Sequence, residues 1–146
     1  NNKSYVTIDS KHDSYLHQHC AVNVVSKECT ESDGYKDKSI EEIYELLVAS
    51  TDGLVIITSG ENDMIYGRKG QLMKRMKPFS VDVKSTLGAG DTFKAGCVYG
   101  LLHGMEDDEL VRFASACSAI AISRFPLPLN PPTLLEVNSL LENTKK

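Results

Sequence analysis

Apolar positions change their spacing along this chain, and the change divides it into short strands and helices. Tyr5-Val6-Thr7-Ile8-Asp9 is a β-prone run closed by an acid, and residues 21–25 form a second apolar run after a polar connection. Ser39 and Glu42 have the spacing of a capping box. They open a helix that sets Ile40, Ile43, Leu46 and Leu47 on one face. Gly53 then leads into Leu54-Val55-Ile56-Ile57-Thr58, a continuous apolar run of the kind a parallel sheet buries on both faces. Strands alternating with a helix imply an α/β architecture.

Residues 64–66 and 71–76 flank Gly67-Arg68-Lys69-Gly70, a hairpin pattern, and residues 81–83 read as a further strand. Three helices follow, over residues 90–102, 107–124 and 133–142. Pro126, Pro128, Pro131 and Pro132 separate the last two, because proline disrupts helix interiors. With no repeat, low-complexity tract or interdomain linker, residues 1–146 are expected to form a single α/β domain.

Composition narrows the function classes. The 146 residues are 41% hydrophobic and 25% charged, as in a soluble globular protein, and the net charge of -4 argues against nucleic acid or anionic membrane as partner. No apolar run approaches the ~18 residues of a membrane span, and no signal-peptide pattern opens the chain. Cys20, Cys29, Cys97 and Cys117 show no paired spacing. Cys97 and Cys117 fall inside helical apolar patterns, where free cysteine acts as a small hydrophobe. A reduced, cytoplasmic protein is the expectation.

The chemistry concentrates in Ser85-Thr86-Leu87-Gly88-Ala89-Gly90-Asp91-Thr92-Phe93. A strand end passes into a helix there, so free backbone N–H groups face outward with no bulky side chain to block them. Such a turn suits a phosphate or a developing negative charge. Asp91 in the first helical turn is placed to accept a proton from an attacking hydroxyl. The competing reading makes the glycines a tight turn and Asp91 a helix cap, and the spacing leaves both open.

This stretch resembles the second signature of the ribokinase-like PfkB carbohydrate kinase family, Asp-Thr-x-Gly-Ala-Gly-Asp followed by a helix. Ile57-Thr58-Ser59-Gly60-Glu61-Asn62 resembles the family's nucleotide-contacting strand end, and residues 112–124 its alanine-rich adenine helix. The resemblance implies a Rossmann-like three-layer α/β/α domain, the C-terminal part of a ribokinase-like fold. It implies ATP-dependent phosphoryl transfer to a hydroxyl of a sugar-like small molecule, with Asp91 as catalytic base and Gly88, Ala89 and Gly90 as anion hole. Thr58, Ser59 and Gly60 would lie along the ATP phosphates or ribose, and Ser115 would face adenine.

Four departures qualify those expectations. Ser85 replaces the signature's first aspartate, a cation ligand in potassium-using relatives, which argues against a monovalent cation. The family's Asn-x-x-Glu motif aligns near Lys27-Glu28-Cys29-Thr30 without its asparagine, leaving Glu28 or Glu31 to supply only part of that role on Mg2+, Glu28 through phosphate or water. Phe125-Pro126 stands in place of Gly-Ala after the adenine helix. The family's chains are about twice this length, so the substrate-binding N-terminal half is missing, and an uncovered sheet edge invites a homodimer or a partner. A non-catalytic nucleotide-binding module or a truncated kinase is the alternative. A nucleoside or vitamin kinase of the same superfamily is a third possibility.

Two clusters carry lesser expectations. His12, His17, His19 and Cys20 lie near Asp9 and Asp13, at a spacing that fits no established zinc pattern. Arg68, Lys69, Lys74, Arg75 and Lys77 read as a solvated basic face, with phosphate steering as the second meaning.

Overall fold

The computed structural model describes residues 5–124 and 130–144, in two compact units that divide between Lys77 and Pro78. The first unit is built on a five-stranded mixed sheet in the order β1-β2-β3-β4-β5. Its strands are β1 (Val6–Ile8), β2 (Val22–Ser26), β3 (Leu54–Ser59), β4 (Asn62–Gly67) and β5 (Lys74–Met76). β1, β2 and β3 run parallel; β4 and β5 follow as antiparallel hairpin strands. The hairpin expected across residues 67–70 is therefore present, and a second one joins β3 to β4 through Gly60 and Glu61.

Helices α1 (Tyr15–Gln18), α2 (Lys27–Thr30) and α3 (Ile40–Ala49) complete this unit. α3 begins with the expected capping box, formed by Ser39 and Glu42. Ile43, Tyr44, Leu47 and Val48 of α3 pack with Val25, Val55, Ile57 and Ile65 of the sheet in one core. Ile40 and Leu46 only flank that core, so the buried face is rotated from the expected one.

The polar connection between β1 and β2 holds a structural surprise. Ser14 caps α1, and His17 on that helix is fully buried. Its Nε2 lies 2.7 Å from Leu47 O, which can only accept, while Asn23 Nδ2 donates to its Nδ1 at 2.8 Å. Cys20 Sγ in turn donates to His17 O. These bonds satisfy both ring nitrogens of His17, while the buried Asn23 Oδ1 has no partner among the described residues.

The second unit contains α4 (Ala89–Leu102), α5 (Asp107–Ile122) and α6 (Leu134–Asn143). Residues 81–83 form no strand, contrary to expectation. The amides of Lys84 and Ser85 both turn onto Ile122 O, at 2.7 and 3.2 Å, which anchors the segment to the end of α5 instead of a ladder. α4 and α5 approach closely because Gly96 faces Ala114: a Cβ there would lie 2.7 Å from Ala114 Cα. Phe113, Ala116, Cys117 and Ile120 of α5 form this unit's core with Val137 of α6. The expected effect of Phe125-Pro126 falls outside the described residues.

Candidate active site

α4 starts at Gly88, whose φ of 82° lies in the left-handed region that glycine enters without strain. Gly88 is therefore the N-cap, and Asp91 sits three residues in, so Asp91 does not cap the helix. Thr92 fixes the turn, with its N–H and Oγ1 both donating to Gly88 O at 3.0 and 2.9 Å. Ala89 N–H closes back onto Thr86 O at 3.2 Å, and Ser118 of α5 donates to Ala89 O at 3.3 Å. Among the described residues no carbonyl accepts from the amides of Gly90 or Asp91. They are first-turn donors of the kind that bind anions.

The space above them is clear. A Cβ on Gly90 would meet nothing within 4 Å, whereas one on Gly96 or Gly100 in the same helix would strike α5 or its flank. Asp91 is exposed and, among the described residues, forms no ion pair. It opens with Thr92 onto a cavity of about 480 Å³ floored by Tyr99, Phe113 and Cys117. Burial pushes the Cys117 thiol up to about 11 and that of Cys97 up to about 12, so both stay protonated at neutral pH.

Ser115 is buried on α5 and does not line that cavity. The serine of α5 that touches the glycine turn is Ser118, one helical turn further on. Sequence reasoning passed over Ser118 because a serine in an alanine-rich helix carries no distinguishing pattern.

The first unit gathers the other candidates at the C-terminal ends of β2 and β3. Thr58 pairs with Ser26 across the parallel ladder, and Ser59 is the last residue of β3. Gly60 turns the chain into β4 with φ of 61° and open space where a Cβ would stand. Glu28 is exposed in the first turn of α2, two residues beyond Ser26. Asp9 fastens this edge: Ser26 N–H and Oγ donate to its carboxylate at 2.7 and 3.0 Å. Its φ of 52° turns the chain after β1, a conformation that aspartate tolerates better than most residues. Thr58, Ser59, Gly60 and Glu28 are thus brought together within one unit, as Gly88 to Asp91 are within the other.

Both the strand-end cluster and the glycine turn lie in a stretch of known relationship. The model of the "pfkB family carbohydrate kinase" matches residues 16–132. The chain belongs to this family. Its curated relatives include the 5-dehydro-2-deoxygluconokinase of Shouchella clausii, 33% identical over 103 residues, which span 70% of this chain and 31% of that protein. The enzyme of the same name from Bacillus licheniformis is 31% identical over 104 residues, 70% of this chain and 32% of that one. The chain therefore spans about a third of the length of these curated relatives.

Among solved structures, a ribokinase from Thermotoga maritima superposes with a TM-score of 0.83 at 20% identity, covering 98% of this chain and 50% of that one. A putative ribokinase II from E. coli, solved in complex with ATP and Mg2+, gives 0.74 at 18% identity, covering 88% and 41%. The fold is ribokinase-like, as expected. Among the described residues no helix is long and apolar enough to cross a membrane.

Proposed function

We propose that this chain provides the phosphoryl-transfer machinery of a kinase acting on a hydroxyl of a sugar or sugar acid. Asp91 takes the proton of the attacking hydroxyl. The Gly88-Ala89-Gly90 turn directs the free Gly90 and Asp91 amides toward the transferring group, whose charge they stabilise as it develops. Thr58 and the main chain of Ser59 and Gly60 follow the phosphates or ribose, Ser115 serves the adenine side, and Glu28 holds Mg2+ through water. Mg-ATP supplies the phosphoryl group together with a cation that neutralises its oxygens.

One observation carries this reading. Among the described residues Asp91 occupies a helix's first turn without an ion pair or cap function, beside amides with no acceptor and a glycine whose Cβ position is open to 4 Å. The residues present fit a phosphate at that point, since a side chain at position 90 would fill the space it needs. Ser85 in place of an aspartate still argues against a monovalent cation.

The name that the relatives carry, 5-dehydro-2-deoxygluconokinase, supports 5-dehydro-2-deoxygluconate as the acceptor. Calorimetric titration with Mg-ATP, alongside phosphorylation assays on that sugar acid, ribose, fructose and a nucleoside, tests the proposal. Binding with transfer to one acceptor is the expected result, and absence of nucleotide binding sinks it. Because the chain spans a third of its relatives, a second reading stands beside the first: a nucleotide-binding module or a kinase fragment completed by another chain. Binding without transfer would favour this second reading.

A further inference from the structure

A separate cavity of about 700 Å³ lies within the first unit, in the size range of small-molecule sites. Ile57 and Ile65, 1% and 2% exposed, line its apolar part. Ser59 lines it and Thr58 does not. Neighbouring strand residues face opposite sides of a sheet. The cavity therefore opens on the α3 side, away from the Thr58 side chain assigned above to the nucleotide. The register between β3 and β4 shifts between Ile57 and Ser59, an irregularity of the kind that re-aims a strand-end side chain.

Apart from the Arg75–Glu41 pair, the charged groups around this cavity are exposed and without an ion pair among the described residues. Lys27 at the start of α2 and Lys77 beyond β5 line it, and among the described residues neither forms an ion pair. Lys77 contrasts with its basic neighbours: Lys69 meets Asp52 at 3.6 Å, Arg68 donates to Asp52 O at 3.1 Å, and Arg75 meets Glu41 at 3.3 Å. The side chains of Ser59, Glu61, Asn62 and Asp63 also line the cavity without a protein hydrogen bond among the described residues.

The combination restricts the ligand. Arg75 and Glu41 pair with each other, which leaves two lysines and two carboxylates around the cavity. A bare anion would meet the carboxylates as well as the lysines, and a neutral sugar would leave the ammonium groups unanswered. No aromatic side chain lines the cavity among the described residues, so it offers nothing for a nucleobase to stack on. A molecule with one phosphate and several hydroxyls on a short carbon frame answers every group. Its phosphate meets Lys27 and Lys77, its hydroxyls donate to Glu61, Asp63 and Asn62, and its carbon face lies on Ile57 and Ile65.

We infer that this cavity is a second binding site, for a sugar phosphate, on the opposite sheet face from the nucleotide contacts. The inference does not depend on catalysis, because binding there is read without nucleotide. The test uses the isotope-labelled 146-residue chain, titrated by NMR with D-glucose 6-phosphate in the absence of ATP. Separate arms use glucose, inorganic phosphate and glutamine as a zwitterion without a phosphate.

The expected result is amide shifts clustered at Lys27, Ser59, Asn62 and Lys77, with each control ligand binding at least ~10-fold more weakly. Lys27→Ala with Lys77→Ala weakens binding by ~10-fold or more, and arginine at both positions restores it. Ser59→Leu, which places an apolar side chain in the cavity and spares both lysines, abolishes the shifts while the rest of the spectrum keeps its dispersion. Shifts scattered elsewhere, equal binding of phosphate alone or of glutamine, or affinity unchanged in the Lys27/Lys77 variant would each overturn the site. Failure of Mg-ATP to bind in a parallel titration would count against the proposed function and leave this site standing.

Discussion

Two carboxylates in the second unit occupy the same helical position and have opposite surroundings. Asp91 is third in α4 after the N-cap Gly88, and Glu136 is third in α6 after the N-cap Thr133. Glu136 is fully employed. It closes a capping box with Thr133, and Arg124 holds it by a bidentate ion pair, one arm of which spans 3.2 Å. Asp91 follows a cap with no side chain and forms no ion pair among the described residues. A first-turn acid that serves the fold collects donors, because each satisfies the helix end or neutralises the charge. One left without them faces whatever the solvent delivers. That removes the capping reading of Asp91, one of the two that the spacing left open.

The largest expected effect breaks this contrast at its open end. Asp91→Asn keeps the shape and removes the proposed base, so turnover in the active protein should fall by at least ~100-fold, about 2.7 kcal/mol of barrier. Its melting temperature should stay within a degree or two of the parent's, since no fold contact is lost. Turnover that survives the substitution would remove Asp91 from the mechanism.

The glycines of α4 sharpen the same division. Gly96→Ala places a methyl group 2.7 Å from Ala114 Cα, backbone that cannot swing aside, so the two helices must separate. Overpacking of this kind should destabilise by about 1–3 kcal/mol, read by denaturant titration, despite alanine's better helix propensity. Gly90→Ala should act in reverse. Nothing stands within 4 Å of its Cβ, so stability should rise by up to ~1 kcal/mol while phosphoryl transfer weakens by about 10-fold. A Gly90→Ala protein that is stabilised and fully active would show that no ligand uses this space.

What the sequence disclosed follows the strength of local signals. The run at residues 54–58, the Ser39–Glu42 box and the glycine turn each combine periodicity with a residue type that has few conformational alternatives. Val81 and Val83 misled because β-propensity is realised only when a ladder partner is available, and this segment is tied to Ile122 O instead. His17 was invisible as a core residue, because a polar run conceals a histidine whose partners, Asn23 and Leu47 O, come from other elements. The cavity on the α3 side was harder still. Lys77 reads as part of a solvated basic face, Lys27 and Asn62 fall in two separate family-like stretches, and only the fold brings the three around one space.

The smallest effect tests the closed end of the comparison. The Arg124 guanidinium, aided by the Thr133 hydroxyl, holds the Glu136 carboxyl down to about 2, from an ordinary value of 4.5. A carboxyl lowered by folding stabilises the folded state above its unfolded value, and that contribution is lost as pH falls through the folded one. Stability carried by this pair should therefore be complete at neutral pH and decline between about 4.5 and about 2. The Glu136 side chain is 37% exposed, so water screens the pair and about 1 kcal/mol is the expected contribution. Glu136→Gln should lower stability by that amount at pH 7 and make no difference near pH 2, in urea titrations at each pH. The variant keeps an oxygen able to accept from Thr133 N–H but puts an NH2 where Glu136 accepts from Arg124 Nη2, so the difference reports the whole ion pair with Arg124.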